Sequence, residues 1–187
     1  WRALPMVRMA GMSAASAALH SSLPPFDGGW LPVSGGHRVY YEERGVPAGI
    51  PALILHGGPG SGSSPLMASF FDPQRYRVIL LDQRGAGKSL PAGCCEENTT
   101  PALIGDIEVL RCHLGIDRWL VMGGSWGATL GILYAAAHPA SISGLLLRNP
   151  FLARAADLDW FFGGARQRHP EAWRHWAALG APEAPGA

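Results

Sequence analysis

Residues 119–139 read WLVMGGSWGATLGILYAAAHP. The run Trp119–Met122 is short and apolar. Ala128–Ala137 is small and apolar with helical character, and the His138-Pro139 pair stops it. Between them stands Gly123-Gly124-Ser125-Trp126-Gly127, a G-x-S-x-G pattern at a strand-to-helix junction. Glycines two before and two after the serine allow a sharp turn without Cβ clashes. Ser125 is then presented at the carboxyl edge of a sheet, above a helix N-terminus that favours negative charge. This is the context a nucleophile elbow requires, and it makes Ser125 the candidate nucleophile. A Gly-rich turn with an incidental serine is the plainer reading, and the flanking strand and helix weigh against it. From Trp119 to Leu147 no residue is charged, taking His138 as neutral. A membrane helix is nevertheless not expected, because Gly123, Gly124, Gly127, Gly131 and His138-Pro139 interrupt the stretch.

Upstream, His56-Gly57-Gly58-Pro59-Gly60 follows the apolar run Ala52–Leu55. An HGGG-like loop at a strand end supplies one backbone N–H to an oxyanion, and the residue after the nucleophile supplies the other. Pro59 has no N–H. Gly58 is therefore the expected first donor, with Gly57 second, and Trp126 is the partner donor. His56 is expected to be structural, since in this chain order the catalytic base follows the serine.

Asp82-Gln83-Arg84-Gly85-Ala86-Gly87-Lys88-Ser89 carries a G-K-S, but position 82, where a P-loop needs Gly, is Asp. Asp82 and Arg84 are read as holding strand-end loops in register. Gly58-Pro59-Gly60-Ser61-Gly62 is not G-x-G-x-x-G, so a Rossmann cofactor is unsupported.

Other elements follow from periodicity. Trp30–Val33 and Arg38–Tyr41 read as a hairpin around Ser34-Gly35-Gly36. Arg77–Leu81 and Gly144–Leu147 are further short apolar runs, of the kind buried on both faces of a parallel sheet. Thr100 is a candidate N-cap with Pro101 at the first helical position. Leu103, Ile107, Leu110 and Leu114 then share one face. Strands alternating with helices predict an α/β layered sheet.

The chain has 187 residues, with 15 basic against 14 acidic side chains and net charge +1. That balance provides no field for nucleic acid. Three cysteines, two of them adjacent, fit a reducing, cytoplasmic setting and no disulfide framework. No Cys/His spacing resembles a zinc site, so no metal is expected.

In order, HGGPG, DQRGxGxS, Asn98-Thr99-Thr100, GGSWG, His138-Pro139 and Leu147-Arg148 resemble the proline iminopeptidases of the α/β-hydrolase superfamily. The resemblance runs from about Pro25 to about Trp176. It implies an α/β-hydrolase sheet with the start of a helical cap, and removal of N-terminal proline from peptides by a Ser-His-Asp triad without a cofactor. It implies Ser125 as nucleophile and Gly58 and Trp126 as the oxyanion hole. It also sets Phe151 near the substrate's proline ring. Phe161, in the aromatic cluster with Phe151, Trp160 and Phe162, either lines the same apolar pocket or packs a lid helix. Two departures stand out: Asn149-Pro150 where the family has Gly-Ile, and Ala86 where it usually has Cys.

The expected organisation is a disordered leader over 1–26, a partial hydrolase core over 27–150, and the start of a cap with a coil end over 151–187. After Ser125 no Asp or His follows a strand-like run. The triad acid and base are expected outside these residues, and the 187-residue chain is expected to be inactive alone. An esterase or amidase of the same fold, or a non-catalytic remnant, are the alternatives.

Overall fold

The structure, a computed structural model, describes residues 19–152 and 154–178, with the side chains of residues 161, 162 and 165 left aside. β1 (Asp27–Pro32) and β2 (Arg38–Gly45) form the expected hairpin, in register Trp30 to Tyr40 and Leu31 to Val39. β2 runs four residues past the expected Tyr41, because the charges that end the apolar pattern are paired inside the fold. Glu42 accepts from Arg44 at 2.6 Å and from Lys88 at 2.7 Å, and Glu43 pairs with Arg77.

β3 (Ile50–Leu55) is followed by a short helix α1 (Pro65–Ala68), which the sequence pattern did not announce, and by β4 (Tyr76–Asp82). α2 (Thr100–His113) leads to β5 (Trp119–Gly124), α3 (Trp126–Ala137) and β6 (Ile142–Arg148). The α2 cap is Thr99, one residue before the expected Thr100, and its side chain accepts from Ala102 N. The strand order is β1-β2-β4-β3-β5-β6, with β3 to β6 parallel and β1 and β2 antiparallel to their neighbours.

The alternation of the central strands sorts the core into two layers. Leu53, Leu55, Ile79, Leu81, Trp119 and Val121 face α2 and α3, where Leu103, Ile107, Leu110, Leu130 and Tyr134 cover them. Ala52, Ile54, Val78, Leu80 and Met122 face the other way, against Ala68 and Phe71. β6 departs from the expected burial on both faces. Leu145, Leu146 and Leu147 are 38%, 46% and 37% exposed, because β6 is the last strand of the sheet among the described residues.

His20 N donates to Ser69 O, Arg44 donates to Leu23 O, and Phe26 N donates to Glu43 O. Residues 20–26 are thus tied onto the fold, and the remainder of the expected leader, 1–18, lies outside the described residues. After Pro150 come α4 (Ala155–Leu158), a π-helical turn (Asp159–Gly163), α5 (Gly164–Arg168) and α6 (Pro170–Ala178). Among the described residues no helix is long and apolar enough to cross a membrane.

Candidate active site

One residue separates β5 from α3, and it is Ser125. Its φ of 54° and ψ of −120° lie in a region that side chains other than glycine rarely enter. Such a conformation costs ~1–3 kcal/mol and persists only where the surroundings enforce it. Here Ser125 N donates to Arg148 O at 3.0 Å, and Ser125 O accepts from Ala128 N at 3.0 Å. The flanking glycines are required by contact. A Cβ on Gly127 would lie 2.1 Å from Leu55 O, and one on Gly123 would lie 2.2 Å from Gly127 O. The elbow is thus pressed against the end of β3, and Ser125 itself is exposed.

The loop after β3 meets the elbow directly. A Cβ on Gly57 would touch Gly124 O at 3.1 Å and Ser125 Cβ at 3.3 Å. Ser61 Oγ donates to Gly57 O at 2.6 Å, closing the loop on itself. The HGGPG segment and GGSWG, 67 positions apart between Gly58 and Ser125 in the sequence, are therefore brought together at the carboxyl ends of adjacent parallel strands.

His56 is buried beneath this contact. Its Nε2 accepts from Gln83 N at 3.0 Å, so the proton sits on Nδ1, which donates to Gly57 O at 2.8 Å. Burial pulls its pKa down, against smaller opposing effects of the Gly57 carbonyl and Asp82. With both nitrogens engaged, His56 is structural, as the sequence suggested. His138 caps the far end of α3. The helix has 12 residues, which sets His138 ~18 Å from Ser125 at the usual rise per residue.

Gln83 is the residue that sequence reasoning missed. Its Nε2 donates to His56 O at 2.9 Å, and its Oε1 accepts from the indole Nε1 of Trp126 at 3.0 Å. One buried amide thus spans the two halves of the site. The visible signal was its place at the carboxyl end of β4, next to Asp82 and Arg84, which drew attention first.

Those neighbours hold the loops as expected. Asp82 accepts from Ser63 N and Oγ, each at 2.6 Å, and from Lys88 N at 2.8 Å. Arg84 forks onto Asp106 at 2.6 and 2.7 Å and also donates to Ser34 Oγ and Glu97 O. The Asp106 carboxylate makes the Arg84 guanidinium hold its proton more tightly than usual. Lys88 Nζ donates to Glu42 and Ser89 Oγ donates to Asp82 O, so G-K-S is occupied in structure rather than open to phosphate.

Phe151 O accepts from Thr129 Oγ1 in the first turn of α3, which holds Phe151 beside the elbow's helix. Trp160, of the aromatic cluster, is 65% exposed. The Phe161 and Phe162 side chains lie outside the described residues. Among the described residues no group of three or more His, Cys, Asp and Glu side chains is gathered to hold a metal.

A serine on a strained turn, faced by a glycine loop from the neighbouring parallel strand, defines a class before it defines a reaction. The chain belongs to the family described as alpha/beta hydrolase fold, which matches residues 51–184. Within it, the chain is similar to proline iminopeptidases. It is 51% identical to the one from Arabidopsis thaliana over 162 residues, which is 86% of this chain and 43% of that protein. It is 48% identical to the one from Neisseria gonorrhoeae over 156 residues, 82% of this chain and 50% of that protein. The crystal structure of a Mycobacterium smegmatis proline iminopeptidase superposes with a TM-score of 0.64 at 28% identity, covering 81% of this chain and 55% of that one. The chain spans about half the length of the relatives it matches.

Proposed function

We propose that the protein carrying this chain is a serine peptidase that releases N-terminal proline from peptides. The observation that carries this reading is the contact between the strained Ser125 turn and the HGGPG loop. Ser125 attacks the proline carbonyl carbon. The backbone N–H groups of Gly58 and Trp126 stabilise the oxyanion that develops, each donor being worth ~3–4 kcal/mol in the transition state. A histidine takes the Ser125 proton and returns it to the leaving amine, and an acid orients that histidine. Water then attacks the acyl-serine and frees proline. No cofactor is needed for these steps.

Phe151 and Phe161 line the pocket for the pyrrolidine ring. Residues 27–150 form part of the hydrolase core, and 151–187 begin a helical cap. The acid and base come from the length of the relatives that this chain does not span, since none of Asp157, Asp159, His138, His169 and His175 follows a strand-like run. Leu145, Leu146 and Leu147 on the open face and edge of β6 receive that remainder. The protein acts on peptides in the cytoplasm, with neither nucleic acid nor membrane as partner.

The test compares substrates on the full protein. Turnover of a proline arylamide well above that of simple acyl esters is the expected result. Preference for acyl esters would instead make it an esterase of the same fold. The 187-residue chain alone is expected to turn over neither, because loss of a triad member leaves only residual catalysis.

A further inference from the structure

A cleft of about 290 Å³ opens beside the glycine loop, lined by Pro59, Gly60, Gln83, Gly93, Cys94 and Cys95 among others. Both residues of the vicinal pair line this one space. Cys94 is half-buried and Cys95 is exposed, and neither is in a disulfide. The pair stands between two turns, at residues 92–93 and 96–97. Gly93 takes a φ of 69°, and Cys95 Sγ lies 3.8 Å from Gly93 O.

The loop that presents the pair is pinned at both ends. Gly93 N donates to Gly85 O at 2.9 Å, and Asn98 N donates to Cys95 O at 3.2 Å. Asn98 Nδ2 donates to Arg84 O at 3.0 Å, and Glu96 O accepts from His37 Nε2 at 2.8 Å. Two soft sulfur donors on adjacent residues of one pinned loop, both lining one cleft, suit a thiophilic centre that takes two thiolates.

We propose that Cys94 and Cys95 form a dithiol site for trivalent organoarsenicals. With phenylarsine oxide each Sγ loses its proton and bonds arsenic, the arsenic–oxygen bond breaks, and the oxygen leaves with the two protons as one water. Arsenic stays trivalent, so no electron is transferred and no oxidant is needed. The second sulfur bond forms within the first adduct, which gives the pair an advantage of ~100-fold or more over a single thiol. The site is independent of the reaction proposed for Ser125, and occupying it fills the cleft next to Gly60 and Gln83.

The test uses the full protein, phenylarsine oxide as the probe, and peptide mapping by mass spectrometry. Trypsin cutting after Lys88 and Arg111 isolates residues 89–111, which contain Cys94 and Cys95 but not Cys112. The expected result is one phenylarsenic group on this peptide with loss of one water. It should survive excess glutathione and be removed by 2,3-dimercaptopropanol. Cys94→Ser and Cys95→Ser should each lower retention against glutathione by ~100-fold, while Cys112→Ser leaves it unchanged, with thermal melts establishing that each variant is folded. An unmodified 89–111 peptide, an adduct that glutathione strips from the wild type, or retention unaltered by both serine variants would overturn the proposal.

Discussion

Gln83 joins the two halves of the candidate site through one side chain. Its amide accepts from the Trp126 indole and donates to the His56 carbonyl, while its backbone N–H fixes the His56 ring. On the proposed reading, the backbone N–H of Trp126 is an oxyanion donor, so the indole bond holds that donor in place. Gln83→Met removes both amide bonds with similar volume, and Trp126→Phe removes the indole donor but keeps the backbone N–H. Each should lower kcat with little change in KM. A double-mutant cycle on the full protein should return a coupling of ~0.5–1.5 kcal/mol, the net worth of one such bond. Strict additivity would mean that the bond does not transmit to catalysis. Gln83 was not legible in the sequence because its role depends on a residue 43 positions away. Ser125, by contrast, was legible because the strain it must bear is written into its immediate neighbours.

The junction of β5 and α3 was the most legible element, since glycine spacing there is a steric requirement between backbones. Gly127→Ala places a methyl 2.1 Å from Leu55 O, a backbone atom of the central strand that cannot swing away. We expect a loss of ~1–3 kcal/mol in stability, read from urea denaturation, and a displaced Ser125. An unchanged midpoint would contradict the close packing described for the elbow. The strands and the helix α2 were likewise readable from their apolar periodicity. α1 was not, because four residues opening on Ser64 and Pro65 carry too little periodicity to register. β2 was underestimated for a different reason: Glu42, Glu43 and Arg44 look like a solvated end, but they are buried and paired, Glu42 with Arg44 on the same strand and Glu43 with Arg77 on β4. β6 was overestimated, since an apolar run alone does not reveal whether a neighbour stands beside it.

Across the whole molecule, two carboxylates give the fold a defined response to acid. Burial raises the Glu42 pKa, but hydrogen bonds from Lys88, Arg44 and Tyr40 outweigh it and hold the group down at about 2. Glu108 is also held at about 2, first by Arg111, against burial, with help from Tyr134. A carboxylate whose folded pKa lies below its unfolded value of 4.5 stabilises the fold fully above that pH. The contribution is lost as pH falls from about 4.5 toward about 2. The thermal midpoint should therefore decline over this window, and Glu108→Gln should flatten the decline. A profile for Glu108→Gln parallel to the wild type would show that the Arg111 and Tyr134 contacts do not persist in solution. At this scale the layered α/β sheet and the pairing of HGGPG with GGSWG were legible in the sequence, while the strand order was not. The base and acid of the proposed reaction were not legible, because after Ser125 no His or Asp follows a strand-like run.

The account turns on Ser125 acting as the nucleophile. Fluorophosphonate labelling of the full protein, with the modified residue mapped by mass spectrometry, addresses this most directly. We predict one label per molecule, on Ser125, with matching loss of proline arylamide turnover and no labelling of Ser125→Ala. A label on another residue, or a Ser125→Ala protein that keeps wild-type turnover, would contradict the account.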